Sequence, residues 1–532
     1  MLSAVLSLMV LAALGWVLLQ TQVDPMEPGP GTPRRVALPL AALLLALGVA
    51  LVLATRRPAA YLQDRPQTRR RILLGALAVL LPCLVVLGAS LRFTSAWDAG
   101  ALESWAYEMA TGTYIGDHGD DLLRYPNNHL LLAALTKWYQ LCGLLGLQGL
   151  GAGAVLLNVL VLAATVVLAY RTACQLCAVR GGLVLLALLV PFVLTSPWIA
   201  TAYSDTIGMV FPVLVLHLFL RLPTARSDRA RAVLWFMIGA VALAGYQVKP
   251  TVVFALVAVV IASAIRVVRD HGGRARLRRG VSAGVGLLLG AVAASVAGAA
   301  LVSSMDFAFT EEEKAVAFPA THWLMMGAQG TGSYSEEDVF LTESWPPDQR
   351  VANGIGEYVE RVSAMGGVGY LQFLVDKATW VYGDGSFFAY QEAGHASHPI
   401  DWDTQDDLSG AVREWLGPHG AHYDVTKALW QGAWIAVLAL VVLPAFWWGG
   451  GLFAPETMAM RLAVAALTVF LMFFEARSRY LYLYLPVYVL LATVTLLHLA
   501  RAWESRGAER GAPHREAHVA SRREDRPLQL VE

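Results

Sequence analysis

A few ionisable residues stand where an otherwise apolar chain has least use for them. Asp98 follows directly on an apolar run in SAWDAGALESWAYEMATG, Asp205 lies in TAYSDTIG, Lys249 in GYQVKPTVV, and Glu475, Arg477, Arg479 and Tyr480 in FFEARSRYLYLYLP. Guanidinium groups grip phosphate in a fixed fork geometry, and lysine adds a point charge. A carboxylate opposite such cations can take the proton of an attacking hydroxyl while they stabilise a departing phosphate. That combination suits transfer from a phosphate leaving group. Each residue also has a plainer reading: Asp205 as an N-cap, Lys249 as a snorkelling lysine, and the arginines as partners of Glu475.

Further candidates are weaker. Glu103 lies on the same expected amphipathic helix as Asp98, where an acid can simply face water. In RYPNNHLLL, Asn127 and Asn128 suit a helix start, which leaves Tyr125 and His129 open. AFPATHWLMMGAQGTGSY puts His322 and Trp323 beside a Gly-rich stretch that would form an apolar lid touching the membrane. Two HxxH pairs, His395 with His398 and His419 with His422, flank Asp401 and Asp403 at a spacing zinc tolerates, although ordinary loop histidines explain them as well. Cys174 and Cys177 form a CxxC with no second ligand pair, so a helical core pair is expected.

The elements that must position these residues are membrane helices. With 57% hydrophobic and 15% charged residues, the chain is too apolar for a soluble domain, and 40 basic against 40 acidic residues give no sign of a nucleic-acid partner. Apolar runs long enough to span about 30 Å of hydrocarbon occur near 2–20, 36–55, 72–91, 152–170, 182–198, 203–221, 232–248, 250–268, 281–304, 428–447, 461–474 and 481–500. The first is read as a retained span, for it lacks a basic n-region and a cleavage site. The predicted fold is an all-α polytopic membrane protein with about twelve transmembrane helices.

Placement of arginine orients them. The connections at 56–71, 221–231 and 266–279 and the tail after His498 are Arg-rich and should be cytoplasmic. The loop with Arg171 and Arg180 joins them only if 128–147, which carries Lys137, does not fully cross; a re-entrant or juxtamembrane helix is therefore predicted there. Residues 92–151, 199–203, 247–250, 305–427 and 475–480 then share the external face, at the cost of Arg34 and Arg35 lying outside. The 305–427 insert, with 20 acidic and six basic residues, is expected to be a mainly helical extracytoplasmic domain. The resulting division is 1–71 (two helices and a cytoplasmic loop), 72–304 (core with external loop 92–151), 305–427 (insert), 428–500 (last helices) and 501–532 (disordered tail).

The order of an Asp after a span, a YPxN segment, a YSD, a KP junction, HWLMMG and a late ExRxRY before the last span resembles the GT-C superfamily of membrane glycosyltransferases. It is similar to bacterial relatives of protein O-mannosyltransferases and aminoarabinose transferases over roughly 72–500. The resemblance implies an inverting transfer of a hexose or pentose from a polyprenyl-phosphate donor to a cell-envelope glycan, glycolipid or protein, at the outer face of the plasma membrane. It implies Asp98 as catalytic base, Lys249, Arg477 and Arg479 as donor-phosphate ligands helped by His322 and Tyr480, and Tyr125, Asn127 and Asn128 as site-lining residues, to which the residues themselves add Glu103 and Asp205 as site-lining candidates. O-mannosyltransferases have Asp followed by Glu where Asp98 precedes Ala99, which argues against carrying their protein acceptor over. No cofactor is required, and without a DxD in the first loop a divalent metal is unsupported. Two alternatives stay open: a lipid-linked oligosaccharide ligase or polymerase using a diphosphate donor, and a transporter, which would place ionisable groups nearer mid-membrane.

Overall fold

The structure, a computed structural model, describes residues 34–93, 95, 97–113, 121–270, 272–305, 314–389, 407–445 and 454–511. The expected span at 2–20 and His395, His398, Asp401 and Asp403 lie outside the described residues, as do the side chains of Arg34 and Arg35. Within them the chain is helical and has no strand. Among the described residues, ten helical segments are long and apolar enough to cross a membrane: Val36–Ala54, Pro66–Ser90, Leu150–Thr195, Ser204–Thr224, Asp228–Val248, Pro250–Val268, Leu277–Ser303, Tyr423–Val442, Pro455–Phe473 and Leu485–Ser505. The last is the most enclosed, with 78% of its apolar window buried against 17% for Leu277–Ser303. The first of these two therefore sits at the centre of the bundle and the second at its edge. Leu277, Val281, Val285, Leu288, Val292 and Val296 form an exposed apolar stripe on the edge helix. In lipid such a stripe costs nothing, since acyl chains are as apolar as leucine.

Leu150–Thr195 is not one straight helix. Cys177 (φ −139°, ψ 24°) and Ala178 (φ 57°) leave helical geometry. A Cβ on Gly182 would lie 2.5 Å from both Tyr170 and Cys174, although positions 170 and 182 would be about 18 Å apart in a straight helix. The segment is thus a hairpin whose arms are the expected runs 152–170 and 182–198. Cys177 sits at its turn, outside helical geometry but buried in the core against which Cys174 also packs, and neither thiol is in a disulfide.

His129–Leu144 is a 16-residue helix with Lys137 exposed, packed against Asp98–Thr111 and not among the ten long helices. The described part of the insert is built of helices, Ala320–Met326, Glu336–Ser344, Arg350–Tyr382 and Asp407–Leu416. Arg350–Tyr382 folds at Gly366 (φ +65°), which lets the hydroxyls of Tyr358 and Tyr370 meet at 2.8 Å. One expectation fails at the C-terminus: residues 501–511 are not disordered but continue the Leu485–Gly511 helix. Ala, Arg and Glu dominate ARAWESRGAERG and favour helix, and Glu504 is held by Arg180 at 2.8 Å.

The connections sort onto two ends. Arg180 at the hairpin turn donates to Val52 O and pairs with Glu504, and Arg266 pairs with Glu456, which gathers the Arg-rich connections at one end. The loops carrying Asp98, Asp205, Lys249 and Arg479 meet at the opposite end.

Candidate functional site

Four connections deliver this site, each held by its own backbone contacts. Beyond Pro66–Ser90, Arg92 donates to Glu103 Oε1 (3.0 Å) and Ala200 O (2.6 Å), tying the exit to the loop after the hairpin. The Ser95 hydroxyl accepts from Trp97 N, and a Cβ on Gly100 would fall 2.0 Å from Ser95 O. Only glycine permits so tight an entry into Asp98–Thr111, and Asp98 occupies its first turn. In the next loop, Asn158 Nδ2 reaches the carbonyls of Trp198 (3.3 Å), Ile199 (3.0 Å) and Thr201 (2.8 Å), fixing the approach to Tyr203 and Asp205. Lys249 is extended (φ −149°, ψ 113°) before Pro250, which interrupts the helix and turns the lysine inward.

The fourth connection, 474–480, is clamped from outside by the insert. Glu475 N donates to Trp323 O (2.8 Å) and Ala476 N to Gly332 O (2.9 Å). Lys377 Nζ donates to Gly327 O (2.7 Å) and Phe474 O (2.6 Å), with Gly332 (φ +73°) packed on its stem so closely that a Cβ would lie 2.4 Å from Cε. Ser478 Oγ donates to Asp384 Oδ2 (2.8 Å), whose carboxylate also accepts from the backbone of Ser386 and Phe388. HWLMMGAQGTGSY is therefore a strut for the arginine loop.

The side chains so placed form one ionic network. Tyr203 donates to Asp98 Oδ2, Arg479 Nη2 lies 3.6 Å from Asp98 Oδ1, and Arg479 Nε lies 3.8 Å from Asp205 Oδ2. Lys249 Nζ lies 3.1 Å from Asp205 and 4.3 Å from the Tyr480 ring centre. Glu475 accepts from the Tyr480 hydroxyl (2.5 Å) and lies 3.4 Å from Arg477 Nε. Arg477 is ringed by Trp97 (4.9 Å), Phe388 (5.1 Å) and Tyr334 (5.5 Å). Such contacts are each worth about 0.5–2 kcal/mol and leave the guanidinium edges for hydrogen bonding.

Three carboxylates (Asp98, Asp205, Glu475) face three cations (Lys249, Arg477, Arg479), so the network is neutral. Burial pushes the Asp98 carboxyl up, but Arg479, the Tyr203 hydroxyl, Lys249 and Arg477 together outweigh it and hold the group below its ordinary value. Asp98 is thus an anion at rest.

Asp98, Asp205, Lys249, Arg477, Arg479 and Tyr480 come together as their sequence positions suggest. Other candidates do not join them. Glu103 faces inward, 1% exposed, between Arg92 and Tyr139, and its burial pushes its carboxyl up, so it is not a water-facing acid. His322 is buried in the insert against Thr342 (2.7 Å), Phe318 and Trp323, where burial lowers it to about 4. Tyr125 packs on Phe318 and Trp323. Neither asparagine caps a helix with its side chain: Asn127 donates to Asn128 Oδ1 (3.1 Å), and Asn128 occupies the N-cap position without a capping bond. Asp205 is not an N-cap either, because Tyr203 holds that position. His422 lies against Trp415, and among the described residues no group of His, Cys, Asp and Glu could hold a metal ion.

Sequence reasoning missed Tyr203, Tyr334, Lys377, Asp384 and Phe388. TAYSD contained the first, and the GDGSFF turn, where Phe387 (φ 55°) and Phe388 (φ 66°) are left-handed, was a local signal for the last two. Lys377 had none, because its partners are backbone carbonyls distant in sequence.

No curated protein and no solved structure matches the chain. Residues 36–499 match the family described as "Conserved hypothetical integral membrane protein", and with most of its length covered the chain belongs to that family of integral membrane proteins.

Proposed function

We propose that the protein is an inverting membrane glycosyltransferase of GT-C type, moving a sugar from a polyprenyl-phosphate donor to a cell-envelope acceptor at the outer face of the plasma membrane. The observation that carries this reading is the convergence of Asp98, Lys249, Arg477 and Arg479, from three separate connections, at one end of an apolar bundle. The Arg-rich connections gather at the other end, the cytoplasmic one by the positive-inside rule. The donor's polyprenyl tail would lie among the helices, with its phosphate at Arg477, Arg479 and Lys249.

In the transfer, the acceptor hydroxyl gives its proton to Asp98 as its oxygen bonds to the anomeric carbon. The bond from that carbon to the phosphate oxygen breaks, and its electron pair stays on the phosphate, where the cations offset the added charge. Attack opposite the leaving group inverts the anomeric centre. Trp97 and Tyr334, in edge contact at 5.7 Å, would supply an apolar wall for the sugar next to Arg477.

The test is transfer by purified protein from a panel of polyprenyl-phosphate sugars, with matched diphosphates as the second arm. Asp98→Asn should lose turnover by about 10²–10⁴-fold, the usual contribution of a positioned base. Arg477→Ala should raise donor KM. Folded variants that keep wild-type transfer from every active donor would overturn the reading, and activity with diphosphates alone would favour a ligase. Orientation is checked separately: single cysteines introduced in 314–389 should be labelled from outside intact cells.

A further inference from the structure

Resting on the proposed function, the geometry points to a second role for Asp98: its carboxylate holds the place of the donor phosphate on Arg479 until the donor arrives. Three observations carry this.

The first is charge balance. Each of the three cations already has a carboxylate near it, Lys249 with Asp205 at 3.1 Å, Arg479 with Asp98 at 3.6 Å and Arg477 with Glu475 at 3.4 Å. An arriving phosphate therefore meets a neutral network, and it gains a full ion pair only if a carboxylate yields.

The second is accessibility. The Asp98 side chain is 39% exposed, whereas Asp205 is 0% and Glu475 7% exposed. Asp98 is the carboxylate of the three that opens to the mouth of the site, so a phosphate reaching that mouth meets Arg479 from the side Asp98 occupies. Asp205, sealed behind Arg479 and held by Lys249, stays as the fixed counter-charge.

The third is attachment. Asp205 is held by Lys249 (3.1 Å) as well as by Arg479, and Glu475 by Arg477 (3.4 Å) and the Tyr480 hydroxyl (2.5 Å). Asp98 Oδ1 meets Arg479 at 3.6 Å, longer than a hydrogen bond, so it can leave that cation while Tyr203 keeps hold of Oδ2.

The exchange links donor binding to base strength. Arg479 heads the cations that hold Asp98 acidic. Once a phosphate has taken Arg479, Asp98 faces a new anion in place of that cation and its proton affinity rises, just when an acceptor hydroxyl must be deprotonated. Without donor the carboxylate is a poor base, which disfavours premature reaction with other hydroxyls.

The experiment titrates farnesyl phosphate, with farnesol as the tail-only control, against detergent-solubilised full-length wild type, Asp98→Asn and Arg479→Ala, each checked for folding by thermal melting. Asp98→Asn should bind farnesyl phosphate about tenfold tighter than wild type, by relief of one like-charge neighbour, while transfer is lost. Equal or weaker binding by Asp98→Asn overturns the inference. If Asp98→Asn does not fold, Tyr203→Phe takes its place; freeing the second oxygen should tighten binding about twofold to threefold, and unchanged affinity has the same negative meaning. Failure of the underlying reading looks different: farnesyl phosphate would bind wild type no better than farnesol, and Arg479→Ala would change nothing.

Discussion

At one end of the bundle Arg479 lies buried between two aspartates from other connections, whereas at the opposite end Arg278 meets Asp228 at 2.7 Å with 75% and 53% of their side chains in solvent. The pairs look alike in distance but differ in what surrounds them. Water competes for every charge of the exposed pair and leaves it worth about 0–1 kcal/mol. Apart from Asp98, the members of the other network have given up that hydration, so each depends on the others, and removing one strands the rest. Arginines at the Arg-rich end fit orientation; those at the other end need partners, and the fold supplies them from separate loops.

The sharpest way to break this contrast is Arg479→Ala, which leaves Asp205 sealed with Lys249 alone. It should cost about 3–5 kcal/mol, read as a large drop in melting temperature in detergent. Adding Asp205→Ala should recover part of that loss, and strict additivity of the two would mean that the pair is not coupled. Lys377→Met comes next. It keeps the stem and deserts two buried carbonyls, for an expected loss of about 2–3 kcal/mol and weaker donor binding through a loosened arginine loop.

A pH titration refines the same point. Burial lowers Lys377 to about 7, against 10.5 for the free side chain, with Glu475 opposing. A neutral amine still has two protons for its two carbonyls. Between pH 7 and 10.5 the unfolded chain binds the extra proton, so this residue's contribution to stability should grow as pH rises through that window and be flat below it. Lys377→Met should erase that slope in pH-dependent melts. The smallest effect belongs to the exposed end: Arg278→Ala should change stability by less than about 0.5 kcal/mol, and a change of several times that would show that the two ends do not differ as described.

The long helices were legible in the sequence because lipid demands apolar runs of set length, and the common end of Asp98, Asp205, Lys249 and Arg479 followed from where arginine was scarce or abundant. The turn at Cys177–Ala178 was placed only as a short loop, since nothing in QLCAVRGG announces a hairpin whose two helices touch. The site was partly legible for the same reason it was partly hidden. Charges against an apolar background stand out, whereas Lys377, Tyr334 and Phe388 act through backbone carbonyls and ring faces, which leave no period or motif. His322 misled because a histidine beside tryptophan and methionine suggests a site, yet here it fills the insert's core on Thr342.

The order of these partners along the chain has a consequence for biogenesis. Asp98 and Asp205 leave the ribosome early, Lys249 soon after, and the arginine that joins both aspartates arrives only with the connection before the last helix. The strut that seats that connection, from Trp323 to Lys377, has already left the ribosome by then. A nascent chain arrested before residue 475 would hold most of its helices but an acid-rich, unsealed mouth. Completion of the final pair of helices is therefore also the step that balances the three carboxylates with three cations.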